Sequence, residues 1–368
     1  MPQKIRVMVT DDSIVFRSWL VKSIGEDPRF EVVGFAVNAL DAKNKLPVLK
    51  PDIMTLDIEM PGMSGLEFLR EILPSHPIPV ILVSSLNVRV FDALAAGAVD
   101  FVRKPGTEHG AREAFIATLK SKLAIGKNAK PRLPAAGSPP ITVQSIKGMG
   151  PVHSPASTGG VSSGATTSRS SMPMGHHPSV DVIAIGASTG GTEAILEVVR
   201  QFPAKMPGIV ITQHMPAGFT SMYAERLNRL CKLEVREARH GDKIQPGLVL
   251  LAPGGLQMRV VRMGAGYAVS CSEGEKVSGH CPSVDVLFDS VAVNVRSRAI
   301  GVILTGMGAD GAAGMLRMRR AGAYTIGQDR DSCVVYGMPM EAFKIGGVCM
   351  QAPLNSIHHA VLGQLAKG

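Results

Sequence analysis

The chain alternates short apolar runs with amphipathic stretches, and it does so in two separate blocks. In the first block, residues 4–125, five runs have the length and composition of buried strands. These runs are Ile5–Thr10, Phe30–Phe35, Ile53–Leu56, Val80–Val83 and Asp100–Val102. The stretches between them follow helical spacing, and one face of the first stretch carries Phe16, Trp19, Leu20 and Ile24. Alternating strands and helices predict a parallel sheet with helices on both faces.

The second block begins at Val180 and continues to the C-terminus. Its apolar runs are Val182–Ile185, Ile209–Thr212, Leu248–Ala252 and Ile300–Thr305. After the first of them, helical spacing links Ile195, Val198, Val199 and Phe202. Residues 126–179 are rich in Ser, Gly and Pro and lack apolar periodicity, which favours a flexible linker. The expected organisation is one α/β domain over residues 1–125, a linker over 126–179 and a second, doubly wound α/β domain over 180–368.

The net charge of +9 raises the possibility of a nucleic-acid-binding protein. The distribution of the charge argues against it, because residues 126–180 carry five basic side chains and no acidic ones. More than half of the excess therefore lies in the predicted linker. Aromatic residues make up 4% of the chain, which leaves few side chains to stack on bases. We expect no nucleic-acid partner.

Several features of the sequence predict a cytoplasmic protein without membrane insertion. No stretch reaches the roughly 18 consecutive apolar residues of a membrane-spanning helix. The N-terminal residues lead directly into the first apolar run, without the segments of an export leader. The five cysteines lack CxxC spacing, which argues against a zinc site or a disulfide framework.

Polar side chains follow the predicted strands of the first block. Asp11 and Asp12 end the first strand, Asp57 ends the third, Ser84 the fourth, and Lys104 follows the fifth. The carboxyl ends of parallel strands share one edge of a sheet, so we expect these side chains to converge. Clustered carboxylates repel one another unless a cation lies among them, and their oxygens suit Mg²⁺. Asp57 could then attack a phosphoryl group. Taken singly, each acid could equally be a solvated loop residue.

These residues, with the segment Leu56–Gly65, resemble response-regulator receiver domains over about residues 4–125. The resemblance implies a (βα)5 flavodoxin-like fold with Asp57 as the acceptor of a phosphoryl group from a chemotaxis histidine kinase. It implies a magnesium site formed by three carboxylates: Asp11, Asp12 and Asp57. It also implies three switch residues: Ser84, Lys104 and Phe101. The stretch Ser85–Gly97 is several residues shorter than is usual in the family, which bears on the length of the fourth helix.

In the second block, residues 186–191 follow a predicted strand and open a predicted helix. They match the G-x-S-x-G nucleophile elbow, whose glycines permit a tight turn that exposes the hydroxyl of Ser188. The helix N-terminus adds N–H donors suited to an oxyanion. The same segment could instead be a phosphate-binding turn or a simple helix cap. A dinucleotide-binding fingerprint fits less well, because Ser188 stands where its second glycine belongs.

A nucleophilic serine needs a general base, and the histidines of this block are His214, His240, His280, His358 and His359. His214 follows one predicted strand and Asp310 follows another, so both are expected on the edge that carries Ser188. Such a set meets the requirements of a triad, in which the base takes the serine proton and the acid orients the base. The chain order Ser…His…Asp differs from that of common α/β-hydrolases. A histidine after a strand can also be purely structural.

The second block resembles the protein-glutamate methylesterases of bacterial chemotaxis, the CheB family, most specifically over residues 185–191, 213–216, 279–285 and 304–311. The resemblance implies a catalytic triad: Ser188, His214 and Asp310. It also implies an oxyanion and substrate site near Thr189 and Met307, and no cofactor in this domain. The substrates would be glutamyl methyl esters of methyl-accepting chemoreceptors, with deamidation of receptor glutamines as a further activity.

This sequence departs from the family at Cys281, where arginine is usual. A cysteine cannot make the bidentate, charged contacts of arginine. Cys281 is also a weak alternative nucleophile, because no base is tied to it.

Two other classes of protein are open at this point. A DNA-binding response regulator would need a helix-turn-helix or a basic output domain, whereas residues 181–368 show a repeating βα pattern. A non-catalytic signalling scaffold would be expected to have lost a member of the triad, and none is missing. We therefore expect a phosphorylation-activated hydrolase that removes methyl esters from chemoreceptor glutamates during chemotactic adaptation.

Overall fold

The computed structural model describes residues 3–85, 89–131 and 179–367. The predicted linker therefore lies largely outside the described residues. The described chain forms two parallel sheets, each with its own helices, as the two blocks of the sequence predict. None of the described helices is both long and apolar enough to cross a bilayer.

The first sheet has five parallel strands: β1 (Ile5–Thr10), β2 (Phe30–Ala36), β3 (Ile53–Leu56), β4 (Val80–Ser84) and β5 (Asp100–Arg103). Its helices are α1 (Ile14–Gly25), α2 (Ala39–Leu49), α3 (Gly65–Ile72), α4 (Arg89–Ala95) and α5 (Ala111–Gly126). The strand order is β2-β1-β3-β4-β5. This is the flavodoxin-like order, so the fold predicted for the first block is confirmed.

Local sequence accounts for these elements. Every side chain of β3 and β4 is buried, because helices cover both faces of the parallel sheet. Helix α1 buries Leu20 and Ile24, two residues of its predicted apolar face. Helix α3 begins at a capping box between Ser64 and Glu67. Of the stretch between the fourth and fifth strands, the described residues place 7 in helix α4.

The second sheet has seven parallel strands: β6 (Val182–Ala187), β7 (Gly208–Gln213), β8 (Glu234–Glu237), β10 (Leu248–Leu251), β13 (Ala299–Ile303), β14 (Tyr324–Gln328) and β15 (Met350–Ala352). Its helices are α6 (Gly191–Val199), α7 (Phe219–Leu230), α8 (Val284–Asn294), α9 (Ala312–Arg320), α10 (Met338–Lys344) and α11 (Ile357–Leu365). The strand order is β15-β14-β13-β6-β7-β10-β8. From β6 the chain builds outward through β7 and then returns to β13 on the other side of β6. The carboxyl ends of these three strands therefore flank a topological switch point, where ligands bind in doubly wound sheets.

A small antiparallel sheet in this domain was not predicted from the sequence. It consists of β9 (Lys243–Ile244), β11 (Gln257–Met263) and β12 (Gly266–Ser272), in the order β11-β12-β9. In β11 the buried Met258 and Val260 alternate with the exposed Arg259 and Val261. An alternating strand has no continuous apolar run, so a search for such runs passes over it. Strands β8, β14 and β15 were also not predicted.

The two domains pack against each other. One buried apolar cluster includes side chains from both sheets. Two aromatic pairs cross the boundary: Phe91 stacks on Tyr223 with 5.4 Å between ring centroids, and Phe101 lies 4.7 Å from Phe219. All four side chains are buried. The contact between the domains therefore includes an apolar part with four buried aromatic rings.

Candidate active site

Ser188 follows β6 directly and precedes α6. The carbonyl of Ser188 accepts a hydrogen bond from the Gly191 amide at 2.7 Å, and its own amide donates to Thr305 O at 3.0 Å. The left-handed residue of this turn is Gly190, with φ +75°. Ser188 is not among the described non-glycine residues that have a positive φ. The turn therefore exposes the hydroxyl with glycine taking the unusual conformation, unlike the strained serine of an α/β-hydrolase elbow.

The structure brings the three predicted triad residues together at the carboxyl ends of β6, β7 and β13. His214 Nδ1 lies 3.1 Å from Ser188 Oγ, and His214 Nε2 lies 2.6 Å from Asp310 Oδ2. With its proton on Nε2, the imidazole donates to Asp310 and leaves Nδ1 free to accept the serine proton. The ring is thus turned over relative to the Ser-His-Asp template, in which Nε2 faces the serine. The side chains of His214 and Asp310 are 6% and 1% exposed, so water does not compete for their bond.

Asp310 is held at the N-terminus of α8. Its Oδ1 accepts hydrogen bonds from Ser283 Oγ at 2.7 Å and from the Asp285 amide at 3.0 Å, and its Oδ2 accepts from the Val284 amide at 2.8 Å. Burial alone would raise the pKa of Asp310, but the bonds from His214, Ser283 and the helix amides outweigh it, and the pKa lies below its usual value. The carboxylate therefore stays ionised and oriented towards the imidazole.

Ser283 was not predicted as a site residue. The sequence does contain a signal for it, since a serine before an apolar helical stretch is a typical N-cap. In the structure Ser283 is fully buried, caps α8 and donates its hydroxyl to Asp310.

His280 packs face to face against His214. The ring centroids are 3.6 Å apart and the planes differ by 7°. Burial and the neighbouring His214 lower the pKa of His280 to about 4, so the ring is neutral near pH 7. His214, His280 and Asp310 offer donor atoms within 4.8 Å of one another, a spacing that a metal ion could bridge. We assign no metal to this group, because both ring nitrogens of His214 are already engaged by Ser188 and Asp310.

Thr189 follows the nucleophile in the chain, and Met307 follows Gly306, which lies against Ser188. Thr189 is buried, and its hydroxyl donates to Asp100 Oδ2 of the first domain at 2.5 Å. Met307 is 37% exposed in the loop that follows β13. In that loop Gly306 lies against Ser188, since a Cβ on Gly306 would come within 2.8 Å of the serine Cβ. Only glycine allows the backbone of this loop to approach the nucleophile so closely.

Cys281 follows His280 in the chain. Burial raises the pKa of its thiol, which disfavours the thiolate. This does not favour Cys281 as a nucleophile.

The carboxyl edge of the first sheet carries the predicted phosphorylation residues. Lys104 Nζ lies 2.5 Å from Asp57 Oδ2 and 3.0 Å from Asp11 Oδ2. Burial raises the pKa of Asp57, and the nearby charge of Asp11 adds to this, so that Lys104 only partly compensates. Asp11, Asp12 and Asp57 offer oxygens within 4.8 Å of one another, and the buried Asp11 Oδ2 is paired with the ammonium of Lys104. An all-oxygen group with excess negative charge fits Mg²⁺.

Two further predicted receiver residues, Ser84 and Phe101, lie on the neighbouring strands β4 and β5. The hydroxyl of Ser84, at the end of β4, is fully buried and has no hydrogen-bond partner. A buried polar group without a partner costs free energy, so Ser84 can bind a group that enters the edge. Phe101 of β5 packs against Phe219 of the second domain. Strand β5 therefore contributes Phe101 to the domain interface and leads directly to Lys104, which pairs with Asp57.

Comparison with known proteins extends over the whole chain. Residues 183–361 match the family model described as CheB methylesterase, and residues 7–115 match the response regulator receiver domain. A protein-glutamate methylesterase/protein-glutamine glutaminase of Syntrophomonas wolfei is 48% identical, with 98% of this chain and 97% of the relative aligned. A protein of the same description from Syntrophotalea carbinolica is 47% identical over 100% of this chain and 99% of its own. The crystal structure of the Thermotoga maritima CheB methylesterase catalytic domain matches with a TM-score of 0.50 at 32% identity, covering 51% of this chain and 100% of that one.

Proposed function

The chain belongs to the CheB family of protein-glutamate methylesterases, and from that premise we propose that it hydrolyses methyl esters of chemoreceptor glutamates and deamidates receptor glutamines. The observation that carries the proposal is the hydrogen-bonded series Ser188–His214–Asp310 at the switch point of the second sheet. The names of the two relatives that are 47% and 48% identical state both activities, and each aligns over nearly its whole length.

In the first half-reaction, Ser188 Oγ attacks the γ-carbonyl carbon of the glutamyl ester while its proton passes to His214 Nδ1. Asp310 holds the resulting imidazolium through the Nε2–H bond. The C–O bond to the methoxy group then breaks as Nδ1 returns its proton to that oxygen, and methanol leaves. A glutamyl ester of Ser188 remains. With a glutamine substrate the leaving group is ammonia.

In the second half-reaction, His214 Nδ1 takes a proton from water, and the hydroxide oxygen attacks the glutamyl-enzyme. The bond to Ser188 Oγ breaks, the serine regains a proton from His214, and glutamate is released. Both steps develop negative charge on the former carbonyl oxygen, which needs nearby N–H donors. We assign this role to the backbone around Met307 and to the turn at Thr189, because both adjoin Ser188.

We assign residues 1–125 to a receiver domain, 126–179 to a linker and 180–368 to the catalytic domain. In the receiver, Asp57 would accept a phosphoryl group from a histidine kinase through its carboxylate. Asp11, Asp12 and Asp57 would hold Mg²⁺, whose charge offsets that of the phosphoryl oxygens. Ser84 and Lys104 would bind the transferred group, Ser84 through its unpartnered hydroxyl and Lys104 as a cation.

The docked receiver would restrain the hydrolase. Asp100 accepts a hydrogen bond from the hydroxyl of Thr189, the residue next to the nucleophile, so the docked receiver would lie on the rim where a receptor helix has to bind. Phosphorylation at Asp57 would weaken this interface through β5, whose Phe101 packs against Phe219. A change of about 5.5 kcal/mol would convert a 99:1 excess of the docked form into a 99:1 excess of the free form.

Methanol release from methylated receptor membranes tests the proposal. Full-length protein should release methanol, and a small acyl-phosphate donor should increase the rate. Ser188→Ala should lower turnover by several orders of magnitude, whereas Ser272→Ala, which removes an exposed hydroxyl at the end of β12, should not. Near-normal release by the Ser188→Ala protein would contradict the assignment.

A further inference from the structure

His280 contacts the general base but has no part in the reaction as written above. Its position is built into the fold. Gln257, which is fully buried, donates to the carbonyls of Glu275 and His280 at 2.9 and 3.2 Å and accepts the Ser283 amide at 2.9 Å. The backbone of His280 also exchanges hydrogen bonds with Val277 at 3.0 and 3.1 Å. The backbone on both sides of the His280 side chain is therefore held in place by these hydrogen bonds.

The stack places the face of one imidazole 3.6 Å from the face of the other. His214 becomes a cation only during turnover, when it holds the serine proton. The π-face of a neutral aromatic ring attracts a cation, most strongly where water is excluded. A neutral His280 would thus favour the charged form of His214, whereas a protonated His280 would oppose it.

The net effect of the groups around His280 is to keep it neutral. Burial lowers the pKa of its ring to about 4, and His214 and Lys122 of α5 act in the same direction, whereas Asp310 and a hydrogen bond with the Ser278 backbone act in the opposite one. The Nδ1 atom is buried without a hydrogen-bond partner. The ring is therefore neutral near pH 7 and presents its face to His214.

We propose that His280 is a positioning residue for the general base. Its ring face would keep His214 in the plane that joins Ser188 and Asp310, and it would stabilise the imidazolium that forms in each half-reaction. This inference rests on the proposed hydrolase function. A residue that merely fills space would need only the right volume, so an aliphatic and an aromatic replacement of similar size should separate the two roles.

The experiment compares His280→Phe with His280→Leu in the full-length protein, with the acyl-phosphate donor present throughout. kcat, KM and the pH profile of kcat/KM are measured on methylated receptor membranes, and thermal unfolding is followed for each protein. His280→Phe keeps a flat π-face, so kcat should stay within about threefold of the parent and the acid limb should stay in place. His280→Leu should lower kcat by about tenfold with little change in KM. It should also shift the acid limb of the kcat/KM profile, where activity falls at low pH, by roughly 0.5 to 1 pH unit to lower pH. The reason is that the His214 imidazolium loses its stabilising contact with the face of an aromatic ring.

If the Phe and Leu variants share one kcat and one acid limb, only volume matters and the inference is overturned. Should the Leu variant unfold at the assay temperature, His280→Met replaces it with the same expected results. The methanol release of the Ser188→Ala protein gives the background rate of the assay. If the parent releases no more methanol than Ser188→Ala, the proposed function fails rather than the role of His280.

Discussion

Asp100 joins the receiver to the turn that carries the nucleophile, and its removal should release the hydrolase without phosphorylation. Its Oδ2 accepts the Thr189 hydroxyl at 2.5 Å, and its Oδ1 accepts from Lys122 at 2.6 Å and from the Phe101 amide at 2.7 Å. The side chain is 9% exposed. Asp100→Ala therefore removes a charge-assisted hydrogen bond across the interface and leaves the Thr189 hydroxyl unpaired in the docked form.

The size of the effect follows from that bond. A hydrogen bond to a charged group contributes about 1.5–3 kcal/mol. Taking about 2 kcal/mol, the ratio of docked to free protein falls about 30-fold, since every 1.4 kcal/mol is tenfold. If about 1% of the unphosphorylated protein is undocked, the variant would have about a quarter undocked. Basal activity should then rise on the order of 20-fold, and the stimulation by a phosphodonor should shrink by the same factor.

The assay is methanol release by the unphosphorylated full-length protein, repeated with the phosphodonor. Glu113→Ala is the matched control, because it removes one exposed carboxylate on α5 without touching the interface. Phosphoryl labelling of Asp57 should persist in both variants, which shows that the receiver is folded. If Asp100→Ala labels normally but its basal and stimulated rates equal those of the parent, the bond to Thr189 does not restrain the enzyme. An equal rise in Glu113→Ala would attribute the effect to net charge instead.

Four further outcomes are expected. His214→Ala should lower methanol release by several orders of magnitude and Asp310→Asn by less, because the base remains but is no longer oriented. Asp57→Ala should abolish labelling by a phosphorylated histidine kinase while basal release stays measurable, and EDTA should block labelling of the parent. Residues 180–368 alone should release methanol faster than the unphosphorylated full-length protein and should not respond to a phosphodonor. The pKa of Asp310 lies below its usual 3.8, so its charge stabilises the fold above that value and the contribution is lost as the pH falls further. When the pH falls from about 5 to about 3, the free energy of unfolding should therefore decrease less for Asp310→Asn than for the parent, as measured by urea denaturation.

Much of the architecture is readable from the order of residues. Buried parallel strands are nearly continuous apolar runs, and such runs located the five strands of the first sheet and four of the seven strands of the second, namely β6, β7, β10 and β13. The rule that carboxyl ends of parallel strands share one edge was sufficient to expect Ser188, His214 and Asp310 near one another. The structure places them within hydrogen-bonding distance. Their catalytic roles remain predictions until the variants are assayed.

Half-exposed strands carry a weaker signal than buried ones. In β11 the buried Met258 and Val260 alternate with exposed residues, and the strand packs on α8 only after the chain has folded. Its partner β12 lies across a glycine-containing turn, so neither strand forms an apolar run long enough to be identified. Periodicity records which side chains are buried, but it does not record which surface buries them.

The finer features of the site depend on residues far apart in the chain. Which nitrogen of His214 faces the serine is decided by the position of Asp310 at the start of α8, and that position follows from packing between helices and strands. The stack on His280 depends on a segment tied down by Gln257. The bond between Asp100 and Thr189 joins two domains that lie on either side of the predicted linker. Each contact forms because elements far apart in the chain place complementary groups side by side. The spacing of residues along the sequence does not show which elements will come into contact.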